Sequence, residues 1–156
     1  MTKIEASVII DRPIEEVWNF INDLSKLSKW NPEVLEPKQT SAGPLGVGTT
    51  VEFGAKMGNT TMTISMRVTE YEPNRRFSFE HISGPLKGTT ERDSLETIEA
   101  GKTRFTRTGD LKFRGFYKLV GPFITPSMRR GVVASLNNLK RMLESENKTI
   151  ESLRAS

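Results

Sequence analysis

The chain has 156 residues, with 23 Lys and Arg against 19 Asp and Glu, one His and no Cys. That length suits one domain with a sizeable core. The missing cysteines exclude disulfides, thiolate nucleophiles, iron–sulfur centres and thiolate zinc sites, and a single histidine excludes multi-histidine metal centres. No cofactor is expected, and no metal unless carboxylates alone hold it.

No apolar run approaches the length of a membrane span, and Met1–Asp11 lacks the apolar core of a signal peptide. The reading is a soluble, cytoplasmic protein. Charge is unevenly placed: residues 101–156 carry 12 basic and 4 acidic side chains, whereas each of the two preceding segments of fifty is slightly acidic. The overall excess is too small to point to nucleic acid.

Lys3 to Asp11 alternates as a strand, with Ile4, Ala6, Val8 and Ile10 on one side. Pro13 suits a helix start, and Val17, Phe20, Ile21 and Leu24 make its stripe. A second short helix covers Ser25 to Trp30 and ends before Pro32. Val34 to Ser41 is a weak strand that Pro37 assigns to a sheet edge. A turn region, Gly43–Gly48, follows.

Hairpins fill the middle. A two-residue turn at Gly58-Asn59 pairs Phe53 with Ile64 and Ala55 with Met62. A turn at Pro73-Asn74 pairs Val68 with Phe79 and Met66 with His81, which puts His81 on the apolar face. A three-residue loop, Glu99-Ala100-Gly101, pairs Leu95 with Phe105 and Asp93 with Arg107, with Glu91 on the same face. A slip of one residue would turn all of these to solvent.

Ser127 to Glu144 is a long helix with Met128, Val132, Leu136, Leu139 and Leu143 in one stripe. Ser127, Gly131 and Ser135 form a neighbouring row that permits close approach. Phe116, Leu119, Val120, Phe123 and Ile124 suggest a helical prefix, which Pro122 and Pro126 should kink or break. Residues 1–146 form the domain, and 147–156 are expected to be a frayed tail.

These elements make an α+β fold: an antiparallel sheet whose apolar face the long helix covers. Asp11-Arg12-Pro13-Ile14-Glu15-Glu16-Val17-Trp18, then Asp23 and Trp30-Asn31-Pro32, resemble the opening of the START-like (SRPBCC) superfamily, in its polyketide cyclase/dehydrase-like branch. Gly43-Pro44-Leu45-Gly46-Val47-Gly48-Thr49 is similar to the second landmark of that branch, as is the terminal helix with Leu136, Leu139, Lys140 and Leu143. The resemblance spans roughly residues 3–146. It implies a helix-grip fold, a seven-stranded antiparallel sheet curved around the C-terminal helix with a ligand cavity between them. It also implies apolar ligands such as lipids or polyketides, but no universal catalytic motif.

Candidate ligand-binding residues are the inward-facing Phe53, Met62, Met66, Phe79, Leu95 and Phe105, with Phe123, Met128, Val132 and Leu136 from the helix. Each is equally at home in a plain core. His81, Asp93 and Arg107 add polarity, Arg107 being suited to bidentate contact with a carboxylate or phosphate; the bland alternative is an internal salt bridge. His81, Glu91, Asp93 and Tyr117 are the candidates for proton transfer. Trp18 and Trp30 read as structural.

Three functions remain open. The first is non-catalytic carriage of a small hydrophobic or amphipathic molecule, reached through movement of Gly43–Gly48 or Gly121–Pro126. The second is a cyclase or dehydratase acting on a polyketide-like substrate, and the third a protein-interaction module of the chaperone-regulator or toxin kind. Arg104, Lys112 and Arg114 share the outward side near Phe116–Ile124, and cations beside Phe116, Tyr117 and Phe123 also suit a transient anionic membrane surface. Monomer and homodimer are both compatible with the sequence.

Overall fold

The computed structural model describes residues 2–57 and 59–155, with side chains described over 2–56 and 59–145. Gly58 of the expected turn, and the side chains of the expected tail, lie outside the described residues.

Seven strands form one antiparallel sheet: β1 (Thr2–Ile10), β2 (Val34–Gln39), β3 (Thr50–Met57), β4 (Thr60–Glu72), β5 (Arg76–His81), β6 (Thr90–Glu99) and β7 (Lys102–Leu111). Their spatial order is β1-β7-β6-β5-β4-β3-β2, so the two edges are β1 and β2. Two short helices, α1 (Ile14–Ile21) and α2 (Leu24–Trp30), join the edges, and α3 (Tyr117–Ala155) closes the chain. Asp23 caps α2 by accepting the Ser25 backbone N–H at 3.0 Å. Proline in β2 does fall at an edge, where it removes no ladder hydrogen bond, and the β2–β3 register shifts around Glu36 and Pro37.

All the expected pairings are present: Phe53 with Ile64, Ala55 with Met62, Val68 with Phe79, Met66 with His81, Leu95 with Phe105 and Asp93 with Arg107. Two turns differ from expectation. The β4–β5 turn holds three residues rather than two, since Glu72 pairs with Arg76, and an extra residue at Thr69 then restores the register. That bulge keeps Glu70 outside, where Ser78 and Arg92 bond it, and turns Tyr71 inside against Trp18 at 5.3 Å. At the β6–β7 turn Glu99 pairs with Lys102, leaving two residues in the loop and a bulge beside it, with Gly101 in the left-handed region at φ 76°.

The main core lies between sheet and helices. Ile10, Val17, Trp30, Phe105, Leu136 and Leu139 are essentially solvent-free. A second cluster of Val34, Phe53 and Ile64 sits under the far half of the sheet. Helix α3 runs beside β1 in the same direction. Arg129 donates to the Lys3 carbonyl, Lys140 to the Ile9 carbonyl, and the Asp11 N–H donates to Glu144.

The expected break before Ser127 does not occur: α3 begins at Tyr117 and is continuous through Pro122 and Pro126. Both prolines are exposed, and so is Lys118. The carbonyls of Lys118 and Pro122, which lose their helical partners to the prolines, therefore open to solvent. Among the described residues no helix is long and apolar enough to cross a membrane.

Candidate functional site

The inward faces of the strands line up as rows. One row runs Val51, Met66, His81; the next runs Val68, Phe79, Glu91, Gly109; a third runs Phe77, Asp93, Arg107, Ala6. Apolar side chains therefore occupy the β3–β5 half, and four polar ones meet on β5–β7. The long helix lies beside β1, so it packs tightly at that edge and leaves a space over β3, β4 and β5.

That space is a groove of about 520 Å³. Its sheet wall includes Phe53, Ala55, Ile64 and His81, and its helix wall Tyr117, Ile124, Ser127 and Met128. Two smaller cavities adjoin it. One of about 100 Å³ lies under the Leu45 loop against Trp30, Phe79 and Arg107. The other, of about 130 Å³, lies between Arg107, Glu91 and the Gly131–Val132 step of α3. Asn31 and Glu91 line all three, so the cavities converge on these two side chains.

The polar floor is a connected set. Arg107 grips Asp93 with both arms, Nε to Oδ1 at 2.7 Å and a terminal nitrogen to Oδ2 at 2.8 Å. Their side chains are only 10% and 5% exposed. The guanidinium also sits 5.3 Å from the Trp30 ring centre and 6.0 Å from that of Phe105, a cation against two aromatic walls. Burial opposes this charge, but the charge and hydrogen bonds of Asp93, with the charge of Glu91, outweigh it and raise the Arg107 pKa further above its ordinary value. The guanidinium is thus permanently charged.

His81 Nε2 and Glu91 Oε2 share a hydrogen bond of 2.8 Å. Burial alone would raise the Glu91 carboxyl; the hydrogen bond and charge of His81 and the charge of Arg107 outweigh it and hold it below its ordinary 4.5. The other ring nitrogen, Nδ1, is buried without a protein hydrogen-bond partner. A depressed carboxyl stabilises the fold above its unfolded-state pKa and loses that contribution as pH falls through the folded-state value. Stability measured by urea titration is therefore expected to fall below about pH 4.5. Glu91→Gln should make that acid limb shallower, and an unaltered limb would show that Glu91 is not coupled to folding. Glu70, held low by the Ser78 hydroxyl and by Arg76 and Arg92 despite its partial burial, adds to the same limb from the outer face.

Of the predicted ligand residues, Phe53, Met66, Phe79, Met128 and Val132 line these cavities, as do His81, Glu91, Asp93, Arg107 and Tyr117. Leu95, Phe105 and Leu136 do not line them: they belong to the packed core between sheet and α3. Met62 stands half-buried opposite Ala55, outside the lining of the groove. Phe123 is a correction: it is 82% exposed, because continuity of α3 through the prolines turns Ile124 inward in its place. Trp30 is structural, as expected, but it is also the floor against which Arg107 rests.

Sequence reasoning missed Asn31 and Glu33. They reach the site from the α2–β2 connection, and the small-residue row of α3 admits them. Ser135 donates to the Asn31 side-chain oxygen at 3.3 Å, and a side chain on Gly131 would meet the Glu33 carboxylate at 3.0 Å. The row itself was the available signal, since small residues on a core-facing helix mark a close neighbour. Among the described residues no cluster of His, Asp and Glu could hold a metal ion.

Comparison with known proteins agrees with this architecture. A family model described as polyketide cyclase / dehydrase and lipid transport matches residues 1–144. No curated protein matches the chain. Among solved structures, TTHA0849 from Thermus thermophilus is 18% identical with a TM-score of 0.78, covering 93% of this chain and 99% of its own. The Zhui aromatase/cyclase from Streptomyces sp. R1128 is also 18% identical, with a TM-score of 0.77 and coverage of 92% and 93%. One part of the di-domain aromatase/cyclase BexL is similar too, at 16% identity and a TM-score of 0.75, over 92% of this chain and 47% of that one. Identities this low establish the fold alone, a helix grip around α3. With the family match over nearly its whole length, the chain belongs to the polyketide cyclase/dehydrase and lipid transport family of the SRPBCC superfamily.

Proposed function

We propose that the protein binds and sequesters a small amphipathic molecule, largely apolar with one polar end, in the groove between the sheet and α3. One observation carries the reading: apolar walls from β3, β4 and α3 converge on a buried, internally paired polar floor of His81, Glu91, Asp93 and Arg107. Burial of ligand carbon supplies affinity, and the floor orients the polar end. The Arg107 N–H groups not spent on Asp93 favour a head that accepts hydrogen bonds.

The test compares native and denaturing mass spectra of protein purified from its own cells. Carriage predicts an added mass that disappears on denaturation. Bare protein that also fails to take up the amphipathic probe anilinonaphthalenesulfonate would remove the reading.

The His81–Glu91 hydrogen bond favours a second reading, proton transfer on a polyketide-like substrate by a cyclase or dehydratase. A carboxylate that orients a buried imidazole, with the other nitrogen unpartnered, has the makings of a general base. The two readings separate on His81→Gln. A carrier would hold a ligand of the same mass in this variant, if more weakly, whereas a dehydratase would accumulate a precursor heavier by the mass of one water.

A further inference from the structure

We propose that the outer side of the start of α3 is a docking surface for an anionic lipid bilayer. Phe116, just before the helix, and Leu119 and Phe123 within it are 69%, 73% and 82% exposed. Their spacing of three and four residues puts them on one side of the helix, and the exposed Pro122 and Pro126 extend that side. Half of the exposed large hydrophobic residues described in the molecule thus stand together within eight residues. Scattered exposed apolar residues need no explanation, but a contiguous group does.

Cations flank this group along the chain. From Leu111 to Leu143 the sequence holds seven Lys and Arg and no Asp or Glu. Elsewhere every described arginine but Arg141, though not every lysine, finds a carboxylate, as Arg67 does with Glu80, Arg76 and Arg92 with Glu70, and Arg104 with Glu96. Among the described residues, no carboxylate lies within salt-bridge distance of Lys112, Arg114, Lys118, Arg129 or Arg130. Arg114 and Arg129 donate only to the backbone carbonyls of Lys87 and Lys3, which leaves their charge uncompensated.

Charge selects the occupant. A second copy of this surface would bring like charges together, whereas anionic headgroups above an acyl layer complement both the cations and the aromatic and leucine side chains. The other side of the same turns, through Tyr117, Ile124 and Met128, is the helix wall of the groove. A docked bilayer would therefore lie across the outside of that wall. The inference does not depend on what the groove holds.

Flotation with vesicles tests it, using phosphatidylcholine alone or with one-third phosphatidylglycerol. The protein should float with the anionic vesicles at low salt, detach at high salt, and ignore the neutral ones. Lys118→Gln and Arg130→Gln should each weaken partitioning about five-fold. Leu119→Ser with Phe123→Ser should abolish it while leaving the thermal midpoint unchanged, since both side chains are exposed. Three outcomes would overturn the proposal: no flotation with anionic vesicles at low salt, undiminished flotation of the double variant, or a vesicle-free dimer, seen by sedimentation, that the same double variant dissolves.

Discussion

Arg107→Ala is expected to destabilise the fold by about 3–5 kcal/mol, because it strands the buried Asp93 carboxylate without its partner. The guanidinium supplies two short hydrogen bonds to that carboxylate and fills the space above Trp30 and beside Phe105. For a chain of this size the thermal midpoint should drop by roughly 10 °C. Asp93→Leu with Arg107→Met removes both charges and keeps most of the volume, so it should recover stability to within about 1 kcal/mol of the parent or exceed it. Urea denaturation of the three proteins decides the matter. A single variant that loses less than about 1 kcal/mol would mean that water reaches Asp93 freely. The rescued variant has a second use: it is folded but lacks the Asp93–Arg107 pair and the guanidinium donors, so a ligand whose polar head Arg107 holds should leave it.

Ala55→Trp should separate ligand binding from folding. Ala55 lies on the groove wall, half-buried, opposite Val34 and Met62. The groove has room for an indole without repacking the main core, which lies at the β1 side of the sheet. An indole that displaces about 100 Å² of apolar contact with a ligand removes about 2.5 kcal/mol, or about 70-fold in affinity. Titration with anilinonaphthalenesulfonate, alongside a thermal melt, reads both effects. Loss of the probe with the melt preserved places binding in the groove. Unchanged affinity would move it to another part of the molecule.

The floor was readable in the sequence to an instructive depth. Asp93 and Arg107 were placed face to face because a short hairpin loop joins β6 to β7 and alternation then carries the register along both strands. His81 was turned inward by the same logic from the β4–β5 turn. Its bond to Glu91 was out of reach, because β5 and β6 are joined by the longer connection at 82–89, and no turn type sets that register. Asn31 and Glu33 arrive by tertiary packing of a helix end against α3, which local periodicity does not encode. Phe123 was misplaced for a related reason. Helical phase could not be followed through Pro122 and Pro126, and only the unbroken helix reveals that Ile124 takes the inward position.

The Pro73-Asn74 turn shows a more subtle limit. Its predicted length was one residue short, yet the predicted partners of Val68 and Met66 were right, because the bulge at Thr69 absorbs the difference. The sequence does carry a trace of this. The inward series Met62, Ile64, Met66, Val68 resumes at Tyr71, three residues on, while Glu70 holds the position that strict alternation would bury. Burying that carboxylate opposite Phe77 would be costly, and the bulge avoids it.

Thr69 thereby acquires an evolutionary meaning. It is the position in this hairpin where chain length can drift, since losing it would leave Val68 against Phe79 and Glu70 against Ser78 as they are now. A deletion a few residues earlier, at Ser65, would instead invert the strand between two fixed neighbours and expel Ile64 and Met62 from the groove side. Lineages of this chain should therefore tolerate insertions and deletions at the bulge and resist them along the rest of β4.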